Sequence, residues 1–126
     1  MKTILISVSM FLTILIIAVA YQFHLTGIAT DFNNYTEKIE QQIKNQEFDT
    51  AEEALNNLEK LWNKNSALLM MFHDHSLINN ASVNINLAVN SFREKHYNET
   101  VSYLIYFIAT IDELTAENRP TFENIL

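Results

Sequence analysis

The chain has no cysteine, one glycine and one proline among its 126 residues. The absence of cysteine excludes disulfides, thiolate metal sites and cysteine nucleophiles, and it also excludes a lipid-modified cysteine as a membrane attachment. The shortage of glycine and proline leaves few residues for the tight turns that connect β-strands. The composition therefore favours an all-α protein, and the length suits one small domain.

Basic residues are also scarce. Lys and Arg number 8 against 15 Asp and Glu, which gives a formal net charge of -7 at pH 7, and the sequence contains no basic run. Binding to DNA or RNA requires clustered basic side chains that neutralise phosphates. The charge pattern therefore predicts that the protein has no nucleic-acid partner.

What the chain does have is an apolar block near its start. No acidic or basic side chain occurs between Lys2 and Asp31 if His24 is neutral. The segment from Thr3 to Phe23 (residues 3–23) would form a helix of roughly 32 Å, which matches the ~30 Å hydrocarbon core of a bilayer. Residues 1–24 are therefore predicted to be a transmembrane anchor, with the lipid bilayer as the partner of residues 3–23.

A cleaved signal peptide is the alternative reading of this block. Residues 18–20, Ala-Val-Ala, fit the small-x-small cleavage pattern, and residues 4–17 would supply the apolar core of a signal peptide. No helix breaker precedes this site, and the aromatic side chains of Tyr21 and Phe23 suit a membrane interface. A retained anchor, or uncleaved signal sequence, is therefore preferred.

The charges beside the block predict its orientation. Lys2 and the amino terminus are the nearby positive charges, and the segment that follows is acidic. The positive-inside tendency therefore predicts a single-pass protein of the cell membrane, with a cytoplasmic amino terminus. Residues 25–30, which include Gly27, would be a short linker, and residues 31–126 would form a helical extracytoplasmic domain.

Apolar residues at helical spacing predict about four amphipathic helices in that domain. The first would start at Thr30 or Asp31, the second at Asp49 or Thr50 and the third at Asp74 or Ser76, since these side chains are typical helix caps. Regular structure would end at Pro120. The four apolar stripes consist of Phe32, Tyr35, Ile39 and Ile43; of Ala51, Leu55, Leu58, Trp62, Leu69 and Phe72; of Ile78, Ala81, Ile85, Ala88 and Phe92; and of Val101, Leu104, Ile108 and Ile111.

Two stretches match in pattern at an offset of 49 residues: "KNQEFDTAEEALNNL" from Lys44 and "REKHYNETVSYLIYF" from Arg93. Each has a base, polar residues, an aromatic residue (Phe48 or Tyr97) and then the start of a helix. This pattern predicts two helical hairpins of one design, loosely like tetratricopeptide repeats, in an antiparallel bundle. Chance similarity between two helix starts is the alternative explanation.

The segment His73-Asp74-His75 is the strongest candidate for chemistry in the sequence. Residues two apart on a helix point ~200° apart, so two helical histidines at this spacing would not share a metal ion. No second group of His, Asp and Glu at helical spacing completes a site. We therefore expect no metal, cofactor or catalytic residue and no enzymatic activity, with Asp74 or Ser76 acting as a helix cap.

Four residues remain as candidates for packing or partner binding: Trp62, Phe72, His75 and Ile78. The run at residues 68–71, Leu-Leu-Met-Met, could form a ligand-facing patch with Trp62 and Phe72. Core packing is the preferred reading, because the apolar residues recur at helical spacing. Trp62 in particular is expected on the inner stripe, where it would tie the two hairpins together.

The order of motifs resembles a known family. The apolar start is followed by "FDTA" at 48–51, "LEKLW" at 58–62, "FHDHSLI" at 72–78, "YNETVSYL" at 97–104 and "ENIL" at 123–126. This order resembles the small bacterial proteins of domain of unknown function DUF4363, found largely in spore-forming Gram-positive bacteria. The matching residues are Trp62, Phe72, His75, Ile78 and the ending Asn124-Ile125-Leu126.

That resemblance implies a single-pass membrane protein with an outward helical domain and no assigned activity. Such proteins often have an acidic residue where this chain has Asn79. This departure argues against a carboxylate–histidine pair at the site.

Two functions fit these features. The first is a membrane-anchored helical interaction or scaffold module that binds another membrane or envelope protein. The second is an extracytoplasmic four-helix domain that binds or senses a ligand near Trp62, Phe72 and His75. The first is preferred, and a small-molecule ligand is disfavoured.

Overall fold

The computed structural model describes residues 1–117, which form four α-helices and contain no strand. Helix α1 is Lys2–Lys44, α2 is Phe48–Phe72, α3 is His75–Arg93 and α4 is Tyr97–Glu117. The all-α prediction is confirmed. The expected end of regular structure at Pro120 and the ending Asn124-Ile125-Leu126 lie outside the described residues.

Helix α1 continues without a break from the apolar block into the bundle. A new helix start at Thr30 or Asp31 was therefore the wrong prediction, and residues 25–30 are helical rather than a linker. The hydroxyl of Thr30 donates to the carbonyl oxygen of Thr26 at 2.9 Å, so it bonds within the helix instead of capping a new one. One glycine at Gly27 costs a helix only ~1 kcal/mol, which the burial of Leu25 and Ile28 on either side outweighs.

The helices form a closed antiparallel bundle. Each of α1 and α3 packs against both α2 and α4. The connections between consecutive helices are only two or three residues long in sequence, at 45–47, 73–74 and 94–96, and such short connections make neighbours antiparallel. Since α1 also contacts α4, the two hairpins close around one core.

Most residues of the predicted stripes line the core. Tyr35, Ile43, Val101 and Ile108 are half-buried, and Phe72 is 52% exposed because it is the last residue of α2, at the end of the bundle. An aromatic cluster occupies the middle of the core: Phe32 of α1, Trp62 of α2 and Phe107 of α4, with ring centroids 5.3–5.9 Å apart. Phe107 was missing from the predicted stripe of α4, yet it is fully buried. Its position three residues after Leu104 and four before Ile111 places it on the same helical face.

The turns α1–α2 and α3–α4 share one geometry at the predicted offset. In the first, the amide of Gln46 donates to the carbonyl of Ile43 and that of Glu47 to the carbonyl of Gln42. In the second, the equivalent bonds run from Lys95 to Phe92 and from His96 to Ser91. Both turns are Schellman motifs, because a residue in the left-handed region follows each helix, with φ of 60° and 63°. The sequence match therefore corresponds to a real structural equivalence.

The two turns meet at one end of the bundle through their aromatic residues. Phe48 and Tyr97 stack with centroids 4.2 Å apart and an interplanar angle of 11°. Tyr97 also contacts Phe92 edge-on at 5.3 Å. The helix starts equivalent in sequence are thus neighbours in space.

One helix cap lies where the sequence predicted it, and another does not. Asp74 caps α3, since its carboxylate accepts the amide of Ser76 at 3.0 Å as predicted. Helix α2 begins with Glu47 as its N-cap, so Asp49 and Thr50 already lie inside the helix. The prediction placed this start too late, because the Schellman turn ends at Glu47 and α2 begins at the next residue, Phe48.

Candidate functional site

The candidate site lies where the apolar part of α1 leaves the bundle. All side chains at positions 1–20 are exposed, and Leu25 is the first buried residue of the chain. By length and composition, α1 is compatible with a membrane anchor or a signal sequence. The boundary between its exposed and packed parts falls at Tyr21, which is half-buried.

Tyr21 extends the core stripe of α1 by one more turn. It precedes Leu25 by four residues and Ile28 by seven, which is the spacing of one helical face. Its ring lies 4.5 Å from the ring of Phe72, the last residue of α2. The end of α2 therefore reaches back along α1 to the level of Tyr21.

His73 holds the same position through a hydrogen bond. The hydroxyl of Tyr21 and Nε2 of His73 are 2.6 Å apart, and either atom is the donor according to the tautomer of the imidazole. His73 is the C-cap residue of α2, with an extended backbone at φ -130 and ψ 167. Sequence reasoning missed this contact, because the two residues are 52 positions apart. Together, Tyr21, Phe72 and His73 are called the Tyr21 junction below.

The two histidines of the His73-Asp74-His75 segment have different surroundings. His73 bonds to Tyr21, whereas His75 is exposed as the first residue of α3. The Asp74 carboxylate is engaged as a helix cap. Within residues 1–117, no group of three or more His, Asp and Glu side chains comes together in a way that could hold a metal ion. The segment acts as a connection between helices, and the lack of a metal site stays a prediction.

The four candidate residues do not form one site. Trp62 and Ile78 are buried in the core, while Phe72 and His75 are exposed. Trp62 and Phe72 are separated by ~15 Å along α2. The pocket proposed from sequence near Trp62, Phe72 and His75 is therefore not assembled in the described structure.

Trp62 contacts each of the other three helices. Its indole Nε1 donates to the hydroxyl of Ser82 on α3 at 2.9 Å. The same ring meets Phe107 edge-on at 5.5 Å and Phe32 at 5.9 Å. Trp62 thus lies on the inner stripe, as the spacing predicted, and contacts both hairpins.

The last turn of α2 exposes apolar side chains beside the Tyr21 junction. Met71 is 77% exposed and Phe72 is 52% exposed, and Leu68 and Met70 are also exposed. The preference for core packing in the run 68–71 was therefore correct for Leu69 alone. No acidic or basic residue other than His73 lies between Lys64 and Asp74. This exposed group, Leu68, Met70, Met71 and Phe72, is called the α2 apolar end.

Two surface depressions on the described residues lie elsewhere. One, of about 370 Å³, is lined by residues of the α3–α4 turn, Lys95 to Glu99. The other, of about 250 Å³, is lined by Asp31, Asn34, Tyr35 and Lys38 of α1. Both are open to solvent, and neither includes Trp62, Phe72 or His75.

Comparison with other proteins assigns the chain to a family. Neither the curated proteins nor the solved structures that were compared contain a match to this chain. The family model of the domain of unknown function DUF4363 matches residues 19–125, a range that includes the whole Tyr21 junction and all of α2, α3 and α4. Because this match covers most of the sequence, the chain belongs to the DUF4363 family.

Proposed function

We propose that the protein is a membrane-anchored helical interaction module that presents its bundle outside the cytoplasm. The observation that carries this proposal is the two-part character of α1. Its 43 residues form one helix of about 65 Å, exposed and apolar over the first half and packed into the bundle core over the second.

A lipid bilayer would cover the exposed first half of α1. Apolar side chains surround the helix on every side between Ile4 and Val19, whereas soluble proteins rarely expose apolar patches of more than ~300–600 Å². Hydroxyl groups in this segment are satisfied within the helix: Ser7 donates to Thr3 and Thr13 to Ser9, each at 2.9 Å. Such internal bonding suits a helix surrounded by lipid, where no water completes hydrogen bonds.

A role in protein interaction is supported by the packing of the bundle. The aromatic cluster fills its middle, which disfavours a ligand site between the helices. Apolar side chains are instead exposed on α3, at Val83 and Leu87, and on α4, at Ile105 and Tyr106. Val83 and Leu87 are one helical turn apart and share a face. We propose this α3–α4 surface as the contact for a membrane or envelope protein.

The anchoring part of the proposal is tested by fractionation of the full-length protein. Carbonate-washed membranes should retain it, and protease added from outside should digest the bundle. A soluble mature form that begins at Tyr21 would instead establish cleavage after Ala20 and overturn the anchor.

The interaction part is tested by photo-crosslinking in native membranes with the anchor intact. A photoreactive amino acid at Leu87 or Ile105 should give one dominant adduct with a membrane or envelope protein. The matched control is the exposed residue Asn57 on α2, which should give none. An equal adduct pattern from Asn57, or no adduct from α3 and α4, contradicts the proposed surface.

A further inference from the structure

The Tyr21 junction sets the level of the α2 apolar end relative to the apolar segment of α1. Tyr21 lies in the last turn of residues 3–23, two positions before Phe23. Its ring contact with Phe72 and its bond to His73 hold the end of α2 beside that turn. If residues 3–23 cross a bilayer, Phe72 must therefore lie at the boundary of the hydrocarbon core.

The side chains at this level are exposed and apolar on both helices. Phe23 of α1 is 75% exposed, and Met71 is the most exposed residue of the α2 apolar end. Neither is covered by another part of the described chain. Exposed apolar side chains are thus present on two helices at this level.

Polar groups at the same place limit how deep that helix can go. The Tyr21–His73 pair combines apolar rings with a hydrogen bond, a combination that is typical of the headgroup boundary. Asp74 follows directly and is exposed, and an ionised carboxylate does not enter the hydrocarbon core without a large cost. The chemistry therefore suits the interface and excludes deep insertion.

From this arrangement we infer that the α2 apolar end is a second membrane contact, which inserts Met71 and Phe72 into the boundary between lipid headgroups and acyl chains. This inference rests on the proposed anchoring of residues 3–23. A single helix leaves the bundle free to rotate about its axis and to tilt. A second contact on α2 would fix which face of the bundle points towards the membrane and which surfaces face a partner.

The experiment uses the full-length protein in phosphatidylcholine vesicles and exploits the absence of native cysteine. An environment-sensitive fluorophore is attached to Met71→Cys, and quenching is measured with lipids that carry a nitroxide either near the headgroup or near the middle of the acyl chain. Asn57→Cys is the matched control, because it lies on nearly the same face of α2 about four turns, or roughly 21 Å, from Met71. Phe11→Cys reports on the anchor itself. Unchanged Trp62 emission shows that each variant is folded.

We expect the label at position 71 to emit at shorter wavelength than that at 57 and to be quenched several-fold more strongly, mainly by the shallow nitroxide. The label at position 11 should be quenched mainly by the deep one. Quenching at 11 with equal, weak quenching at 71 and 57 would overturn the second contact and leave the anchor intact. A blue-shifted label at 71 without lipid quenching would assign this surface to protein contact instead. No quenching at position 11 would overturn the anchoring proposal, and the inference with it.

Discussion

At the scale of single residues, the structure gives two hydrogen-bonded aromatic side chains different roles. Trp62 combines ring contacts in the core with a hydrogen bond to Ser82. Tyr21 combines a ring contact with a hydrogen bond to His73 at the end of the bundle. The first side chain joins the hairpins, and the second joins α1 to the turn between α2 and α3.

Replacement of Trp62 by alanine should lower the free energy of unfolding by about 3–5 kcal/mol, because it removes a large buried ring. Trp62→Phe should cost less, since it keeps an aromatic ring and loses the bond to Ser82. Denaturant titration in detergent, followed by circular dichroism, measures both changes. The wild-type indole should also emit at the short wavelengths of a buried tryptophan. Water-like emission, or an unchanged unfolding curve for Trp62→Ala, would contradict the core role.

Tyr21→Phe removes the hydroxyl that bonds to His73 and keeps the ring that contacts Phe72. We expect a loss of about 0.5–1.5 kcal/mol in the free energy of unfolding, the usual net value of one hydrogen bond. His73→Ala should show a similar loss, and the double variant should cost less than the sum of the two. His75→Ala is the control, because this exposed neighbour should change stability little. Additive effects of Tyr21→Phe and His73→Ala would show that the bond contributes nothing.

At the scale of helices and turns, local sequence predicted the stripes well and the boundaries less well. Phe32, Ile39, Leu58 and Ile85 are all in the core, as their spacing indicated. The start of α2 and the continuity of α1 were missed. Both depend on a competition between a local cap or breaker and the burial that a longer helix gains, and that burial exists only after the bundle has formed.

Gln46 and Lys95 occupy the left-handed position of their Schellman turns without being glycine, with φ of 60° and 63°. Gln46→Gly or Lys95→Gly should therefore stabilise the bundle by about 1 kcal/mol, because a side chain in this region costs ~1–2 kcal/mol and glycine does not. Asn45→Gly is the matched control: its φ is -86, so glycine relieves no strain there and should lower stability. Thermal unfolding monitored by circular dichroism compares the three variants. If Asn45→Gly stabilised the bundle as much as Gln46→Gly, the left-handed turn geometry would not be the cause of the stabilisation.

Gly27 lies within α1 and has open space around it, since a Cβ added at this position would meet no side chain and no other helix within 4 Å. Gly27→Ala should strengthen the helix by up to about 1 kcal/mol, as expected for an exposed helix interior. Gly27→Pro should cost about 3 kcal/mol or more, because it removes one helical hydrogen bond and kinks α1. Circular dichroism of the full-length protein in detergent measures both. Equal tolerance of alanine and proline would mean that α1 is not continuous at residue 27.

At the scale of the whole molecule, the main feature is that the four helices close into one bundle. Helix α1 contacts both α2 and α4, so the two hairpins share one core. The three rings of the aromatic cluster, Phe32, Trp62 and Phe107, come from three different helices, and both hairpins contribute. The packed part of α1 is therefore a full member of the bundle as well as the stem of the proposed anchor.

This closure predicts a single cooperative unfolding transition for the bundle. In detergent micelles, Trp62 fluorescence and the helical circular dichroism signal should change together on denaturation. Part of the helical signal should survive the transition, since residues 3–23 would stay helical within the micelle. Two separate transitions would contradict a shared core, and complete loss of helix in the one transition would count against the anchor.

The sequence by itself determined the helical class, most of the core-facing stripes and the apolar segment, and it indicated the repeated turns, because each depends on residues near one another in the chain. Spacing at 3.6 residues and the scarcity of glycine and proline are sufficient for those conclusions. Only the tertiary structure decided the burial of Phe107, the continuity of α1 and the position of the Tyr21 junction. Tyr21 and His73 are 52 positions apart, and their contact depends on the length of α1 and on the return of α2 along it. Such contacts arise from the mutual packing of whole helices, which local spacing does not encode.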